Sequence, residues 1–120
     1  MATHRHTVRV YFEDTDFSGA VYHAAYLHFF ERGRTEFLRE LGVHHSELAK
    51  EGIAFAVRRM TIDFLRAAAI DDLLEVETVV AASTGARMDL MQTIRRGAET
   101  IATADVTVVA IKAGRAVRLP

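Results

Sequence analysis

Polar and apolar residues alternate near the start of the chain, where Val8, Val10 and Phe12 are interleaved with Thr7, Arg9 and Tyr11. A period of two predicts a strand from Thr7 to Phe12. The stretch Asp14 to Gly19 is polar and rich in turn formers, and it reads as a loop ending at a helix start. The period then changes. Tyr22, Tyr26, Phe29, Phe30, Gly33, Phe37 and Leu41 recur at three- and four-residue spacings, which predicts a helix from about Val21 to Leu41 with one wide apolar stripe. Arg32, Arg34, Arg39 and Glu40 fall mostly off that stripe. Gly42 sits where a helix cap wants a positive φ. Gly33 lies inside the stripe, at a cost of roughly 1 kcal/mol against alanine. A close approach of the helix to a sheet would account for it.

Ser46 to Lys50 could form a short helix, and beyond residue 53 the pattern is that of strands. Phe55 and Val57 share one phase and Met60, Ile62 and Phe64 the other, so a β-bulge is expected near Arg58 and Arg59. Leu74, Val76 and Val80 alternate with Glu75 and Glu77. Met88, Leu90, Gln92 and Ile94 alternate with Arg87, Asp89, Thr93 and Arg95. Ala102, Ala104, Val106, Val108 and Ala110 share a face. Turns fall at Ser83-Thr84-Gly85, Arg96-Gly97-Ala98 and Ala113-Gly114. The order is strand, long helix, then four strands joined by short turns. Short turns imply antiparallel pairing, and one apolar helix on one five-stranded, mainly antiparallel sheet is an α+β domain. The last strand is apolar on both faces, because Ile101, Val109 and Ile111 oppose the alanines and valines. A homodimer or homotetramer that joins sheet edges or faces is therefore expected.

Composition narrows the classes. A chain of 120 residues suits a single domain over 1–120. Net charge is −1 with the six histidines neutral, so nothing favours nucleic acid as a partner. The absence of cysteine removes disulfides, thiol catalysis and thiolate metal sites. The longest unbroken apolar run, Ile53 to Val57, is far too short for stable membrane insertion, and the first ten residues lack a signal core. A cytoplasmic location is the expectation.

Candidate chemistry concentrates in residues 11–26, where Glu13, Asp14 and Asp16 precede the helix. A carboxylate at that point can attack a carbonyl or activate water. Free N–H groups of a helix start can stabilise an oxyanion. Gly19 would let a substrate approach the backbone, and the N–H of His23 or a neighbour is the candidate donor. The His23 side chain could orient Asp16 or a water. A solvated acidic loop capping a helix has the same composition, so spacing alone does not choose between the two.

The stretch YFEDTDFSGAVYHAAYLHFFERGRTEFL resembles the signature of the 4-hydroxybenzoyl-CoA thioesterase superfamily, and within it the Tol–Pal system-associated acyl-CoA thioesterases of bacteria. AFAVRRMTIDFLRAAAIDDLLEVET matches that branch as well. The resemblance implies a hot-dog fold and hydrolysis of an acyl-CoA thioester, with no cofactor beyond the substrate's own CoA. It maps the catalytic aspartate onto Asp16, the branch-typical histidine onto His23 and the carbonyl-polarising amide onto the N–H of His23. It also implies dimers paired into tetramers, with sites at the dimer interface.

Other residues carry weaker expectations. Arg58, Arg59, Arg66, Lys112, Arg115 and Arg118 could meet CoA phosphates, with Arg58 and Arg59 favoured because a bulge re-aims side chains. Tyr22 and Tyr26 read as pocket wall. Glu31, two turns after His23, is a minor alternative catalyst or an ion-pair partner of Arg34 or Arg32. A metal site built on His4, His6, His44 or His45 is not expected. The competing functions are a hydroxyacyl-thioester dehydratase using His23 and Glu31, and a non-catalytic acyl-CoA-binding or cell-envelope-associated interaction protein.

Overall fold

The computed structural model describes residues 3–120. Strands β1 (His4–Arg9), β2 (Ile53–Phe64), β3 (Leu73–Ser83), β4 (Arg87–Arg96), β5 (Glu99–Lys112) and β6 (Arg115–Val117) form one six-stranded sheet. The order is β1-β3-β4-β5-β2, with β6 paired to β5, and every pairing is antiparallel. The sequence pattern accounts for five of these strands. The sixth is a three-residue extension after the Ala113-Gly114 turn, too short to show a period.

Helix α1 (His23–Glu40) lies on the sheet, and α2 (His45–Lys50) follows. Phe29 and Phe30 are completely buried between helix and strands, each contributing roughly 1.5–3 kcal/mol by burial. Two ends of the expected stripe lie outside the core, since Tyr22 is 49% and Leu41 59% exposed. Arg34, expected off the stripe, is buried instead. Its guanidinium Nη1 donates to Gln92 Oε1 at 3.1 Å, and Gln92 Nε2 donates to the Phe30 carbonyl and Thr78 Oγ1. Burial, the larger effect, lowers the Arg34 pKa, while Glu31 raises it. The Glu31–Arg34 and Glu31–Arg32 ion pairs do not form among the described residues.

Gly33 is explained by distance. A Cβ there would stand 2.5 Å from Val76 Cγ1 and 3.2 Å from Val76 Cβ, so the helix approaches β3 where only glycine fits.

The bulge in β2 falls between Val57 and Arg59, at Arg58. Its effect corrects the expected two-faced strand. Val57 opposes Val108 and Met60 opposes Val106, while Phe55, Ile62 and Phe64 oppose Ala110, Ala104 and Ala102. One extra residue shifts the phase, so all five face the helix.

The first strand is displaced from the expected range. It ends at Arg9, and Phe12–Asp14 forms a 3₁₀ turn. Asp14 Oδ2 accepts the Tyr11 N–H at 2.8 Å, and the Asp14 N–H donates to the Tyr11 carbonyl at 3.0 Å. Local side-chain bonding of this kind competes with a ladder. Phe12, expected on the strand's apolar face, is 79% exposed as a result. Among the described residues, no helix is long and apolar enough to cross a membrane.

Candidate active site

Asp16 lies in a tight reversal between the 3₁₀ turn and α1. Its N–H donates to the Ala20 carbonyl at 2.9 Å, and the Gly19 N–H donates to the Asp16 carbonyl at 3.1 Å. Thr15 and Val21 form a bridge around them. The three residues Phe17, Ser18 and Gly19 make the tip, with Gly19 at φ 85°, the left-handed position that three-residue reversals require. A Cβ on Gly19 would meet nothing within 4 Å. The glycine therefore serves the backbone angle rather than the space.

Asp16 is exposed, and among the described residues both hydrogen bonds to its carboxylate come from Ser18. Oδ1 accepts the Ser18 N–H at 2.8 Å and the Ser18 hydroxyl at 2.5 Å. These bonds, the side-chain one first, hold its pKa below the usual carboxylate value, opposed by a small effect of burial. Neither the helix start nor the neighbouring Glu13 and Asp14 is among the causes of that shift. Ser18 is the residue that the sequence reasoning missed. Its signal was the Asp-x-Ser spacing, since aspartate commonly bonds the backbone two residues on.

A second segment fixes this reversal. The Val21 N–H donates to the Ala68 carbonyl at 2.8 Å, Ala20 bridges Ala69, and the Tyr22 N–H donates to the Asp14 carbonyl at 2.9 Å. The Ala68 N–H in turn donates to the hydroxyl of Tyr26, a buried α1 residue. Asp72 Oδ2 accepts the Ala69 N–H at 2.9 Å and Arg96 Nη1 at 2.6 Å, while Arg96 Nη1 also reaches the Ala67 carbonyl. The Ala69 bond, the larger cause, and Arg96 both lower the Asp72 pKa.

Helix α1 begins at His23 with no side-chain cap and no acid in its first turn. The Ala25 N–H is bonded to the Tyr22 carbonyl. Among the described residues the N–H groups of His23 and Ala24 have no acceptor. These are free donors at the end of the helix dipole.

The His23 side chain lines an open groove with Val21, Tyr26, Phe64, Leu65, Arg66 and Ala67. The Tyr22 and His23 rings lie against each other, centroids 4.4 Å apart and tilted by 49°. Asp16, Gly19, Tyr22 and His23 are thus carried on one hydrogen-bonded segment. Arg58 and Arg59 are not brought to it within one chain. Arg59 opposes Thr107 on the sheet face away from the helix, beside Thr61, Arg87, Asp89 and Asp105. Arg66 is the basic residue that shares the His23 groove, loosely paired with Glu99 at 3.8 Å. Glu31 lines a separate cavity with Arg34, His45, Phe55 and Met88. It lies about 12 Å beyond His23 by helical rise, so one chain does not bring together the two groups that a dehydratase would need.

Comparison with known proteins agrees with this architecture. The family described as Thioesterase-like superfamily matches residues 10–120. The chain belongs to that superfamily. A probable thioesterase from Bartonella henselae superposes with a TM-score of 0.95 at 48% identity, covering 99% of this chain and 100% of that one. The acyl-CoA thioesterase YbgC of Haemophilus influenzae is 47% identical over 109 residues, 90% of this chain and 80% of its own. The acyl-CoA thioester hydrolase YbgC of Escherichia coli O6:H1 is 42% identical over 108 residues, 89% of this chain and 81% of its own. The fold is the hot-dog fold of these thioesterases, an antiparallel sheet with one long helix. In this chain the helix start presents the free N–H groups of His23 and Ala24, and the loop before it presents the exposed Asp16 carboxylate.

Proposed function

We propose that this protein hydrolyses an acyl-CoA thioester to a free acid and CoA. The observation that carries the reading is the coupling of an exposed carboxylate to uncapped helix N–H groups through one backbone segment. The similarity to YbgC proteins named as acyl-CoA thioesterases supports the choice of substrate. The thioester carbonyl would dock on the His23 N–H, where negative charge on its oxygen is favoured.

Asp16 then acts by one of two routes. Its carboxylate attacks the carbonyl carbon, the C–S bond breaks, CoA leaves as thiolate, and water hydrolyses the mixed anhydride. Alternatively it takes a proton from water as that water attacks, and the thiolate leaves from the tetrahedral adduct. A single turnover in oxygen-18 water distinguishes them, because only the anhydride route can place label in Asp16. The His23 side chain orients water or relays the proton to the leaving thiolate.

Further parts of the reading rest on placement. Among the described residues β2 pairs with β5 on one side and has no strand partner on the other, which supports a homodimer or homotetramer. Arg58 and Arg59 lie on that open strand, so they would meet CoA phosphates across a subunit boundary. Arg66 would do so from within the chain. Resemblance to the Tol–Pal-associated branch extends the reading to a genomic association with that envelope system and a cytoplasmic location, with no contact between the proteins implied. The chromosomal neighbours of the gene test that association.

The deciding assay is thiol release by the purified protein from a panel of acyl-CoAs. Release from at least one chain length is expected. No release from any, together with tight CoA binding, would instead identify an acyl-CoA-binding protein.

A further inference from the structure

We propose that Ser18 is a positioning residue that holds one oxygen of Asp16 so that the other, Oδ2, is the atom that reacts. The inference rests on the reading of Asp16 as the catalytic carboxylate. Both donors that reach this carboxylate, the Ser18 N–H at 2.8 Å and the Ser18 hydroxyl at 2.5 Å, converge on Oδ1. Among the described residues no donor reaches Oδ2. A carboxylate fixed through one oxygen has its rotation about Cβ–Cγ restricted, and its second oxygen is presented in a constant direction.

The hydroxyl itself is oriented. The Ala20 N–H donates to Ser18 Oγ at 3.4 Å. With a lone pair engaged there, the hydroxyl proton is directed at Asp16. Ala20 is anchored in turn by its carbonyl, which accepts the Asp16 N–H, and by its bridge to Ala69. The bonds form a closed circuit in which the backbone sets the serine and the serine sets the acid.

The electrostatic setting agrees. The titratable groups nearest in the chain are Glu13 and Asp14 before the loop and His23 after it. Across the paired segment stand Asp71 and Asp72, with Arg9 donating to the Asp71 carbonyl and Arg96 bound to Asp72. None of these is a cause of the lowered Asp16 pKa, which follows from the two Ser18 bonds against slight burial. The hydroxyl therefore favours the ionised carboxylate and makes it a weaker base, so that its contribution to catalysis comes through direction.

The test compares Ser18→Ala, Ser18→Thr and Asp16→Asn by thiol release across pH. In Ser18→Ala the backbone N–H bond remains and the hydroxyl bond is lost. Its kcat is expected to fall about tenfold, and the acidic limb of kcat/KM should move to higher pH. Ser18→Thr restores the hydroxyl and should return both to wild-type values. The loop tip is exposed, so all three variants should fold and unfold cooperatively, with no more than a small drop in midpoint from the lost bonds, which thermal melting verifies. A Ser18→Ala variant with unchanged kcat and limb overturns the proposal, and so does one that loses rate with the limb unmoved. If Asp16→Asn is inactive in that same series, the reading of Asp16 survives the loss. An active Asp16→Asn variant overturns both.

Discussion

Gly33 shows how much one side chain decides at this helix–sheet contact. Replacing it by alanine gains roughly 1 kcal/mol of helix propensity. It also drives a Cβ into Val76, which is completely buried and branched at the point of contact. Overpacking of this kind costs about 1–3 kcal/mol, and rigid Val76 has little room to yield. Gly33→Ala is therefore expected to lower stability by as much as about 2 kcal/mol once the propensity gain is set against the overpacking cost, read as a reduced urea midpoint with unchanged slope. A midpoint equal to wild type would show that the helix can lift from β3 at no cost. Gly33 was legible from the apolar stripe. Arg34 was not, because a period of 3.6 places an arginine by angle alone. The polar chain Gln92–Thr78–Phe30 that receives it is assembled from three elements distant in sequence.

At the scale of elements, the Asp16 reversal depends on the segment from Ala67 to Asp72, and that segment depends on Asp72. Its carboxylate bonds the Ala69 N–H and Arg96 at the same oxygen. Because its folded pKa is lowered, it contributes stability above the ordinary carboxylate range and loses that contribution as pH falls through the lowered value. Asp72→Asn removes the charge. The variant should lose activity through a looser Asp16 loop, and its stability should vary less with pH on the acidic side than that of wild type. Parallel pH–stability curves for the two proteins would show that Asp72 does not clamp the segment. Little of this was legible in the sequence. The helix, the four later strands and the bulge followed from periodicity. The clamp did not, since residues 67–72 carry no period and their partners are scattered over β4, α1, the end of β1 and the loop before α1.

In the proposed reaction the whole molecule places its chemistry at one end of a single helix. The sheet and the buried phenylalanines hold α1 in place, the 67–72 segment holds the Asp16 reversal against it, and the open N–H groups of His23 and Ala24 face outward. Asp16, Gly19, Tyr22 and His23 were legible as a group because they are close in sequence. The separate placement of Arg59 was not, because which face an arginine takes beyond a bulge is decided by the ladder with β5. The central claim is that this exposed carboxylate and the backbone donors together cleave a thioester. The most direct measurement is acyl-CoA turnover, followed by thiol release, for wild type and Asp16→Asn at matched folding. The account predicts no detectable turnover in the variant and cooperative unfolding with no more than a small drop in midpoint; turnover close to wild type would contradict it.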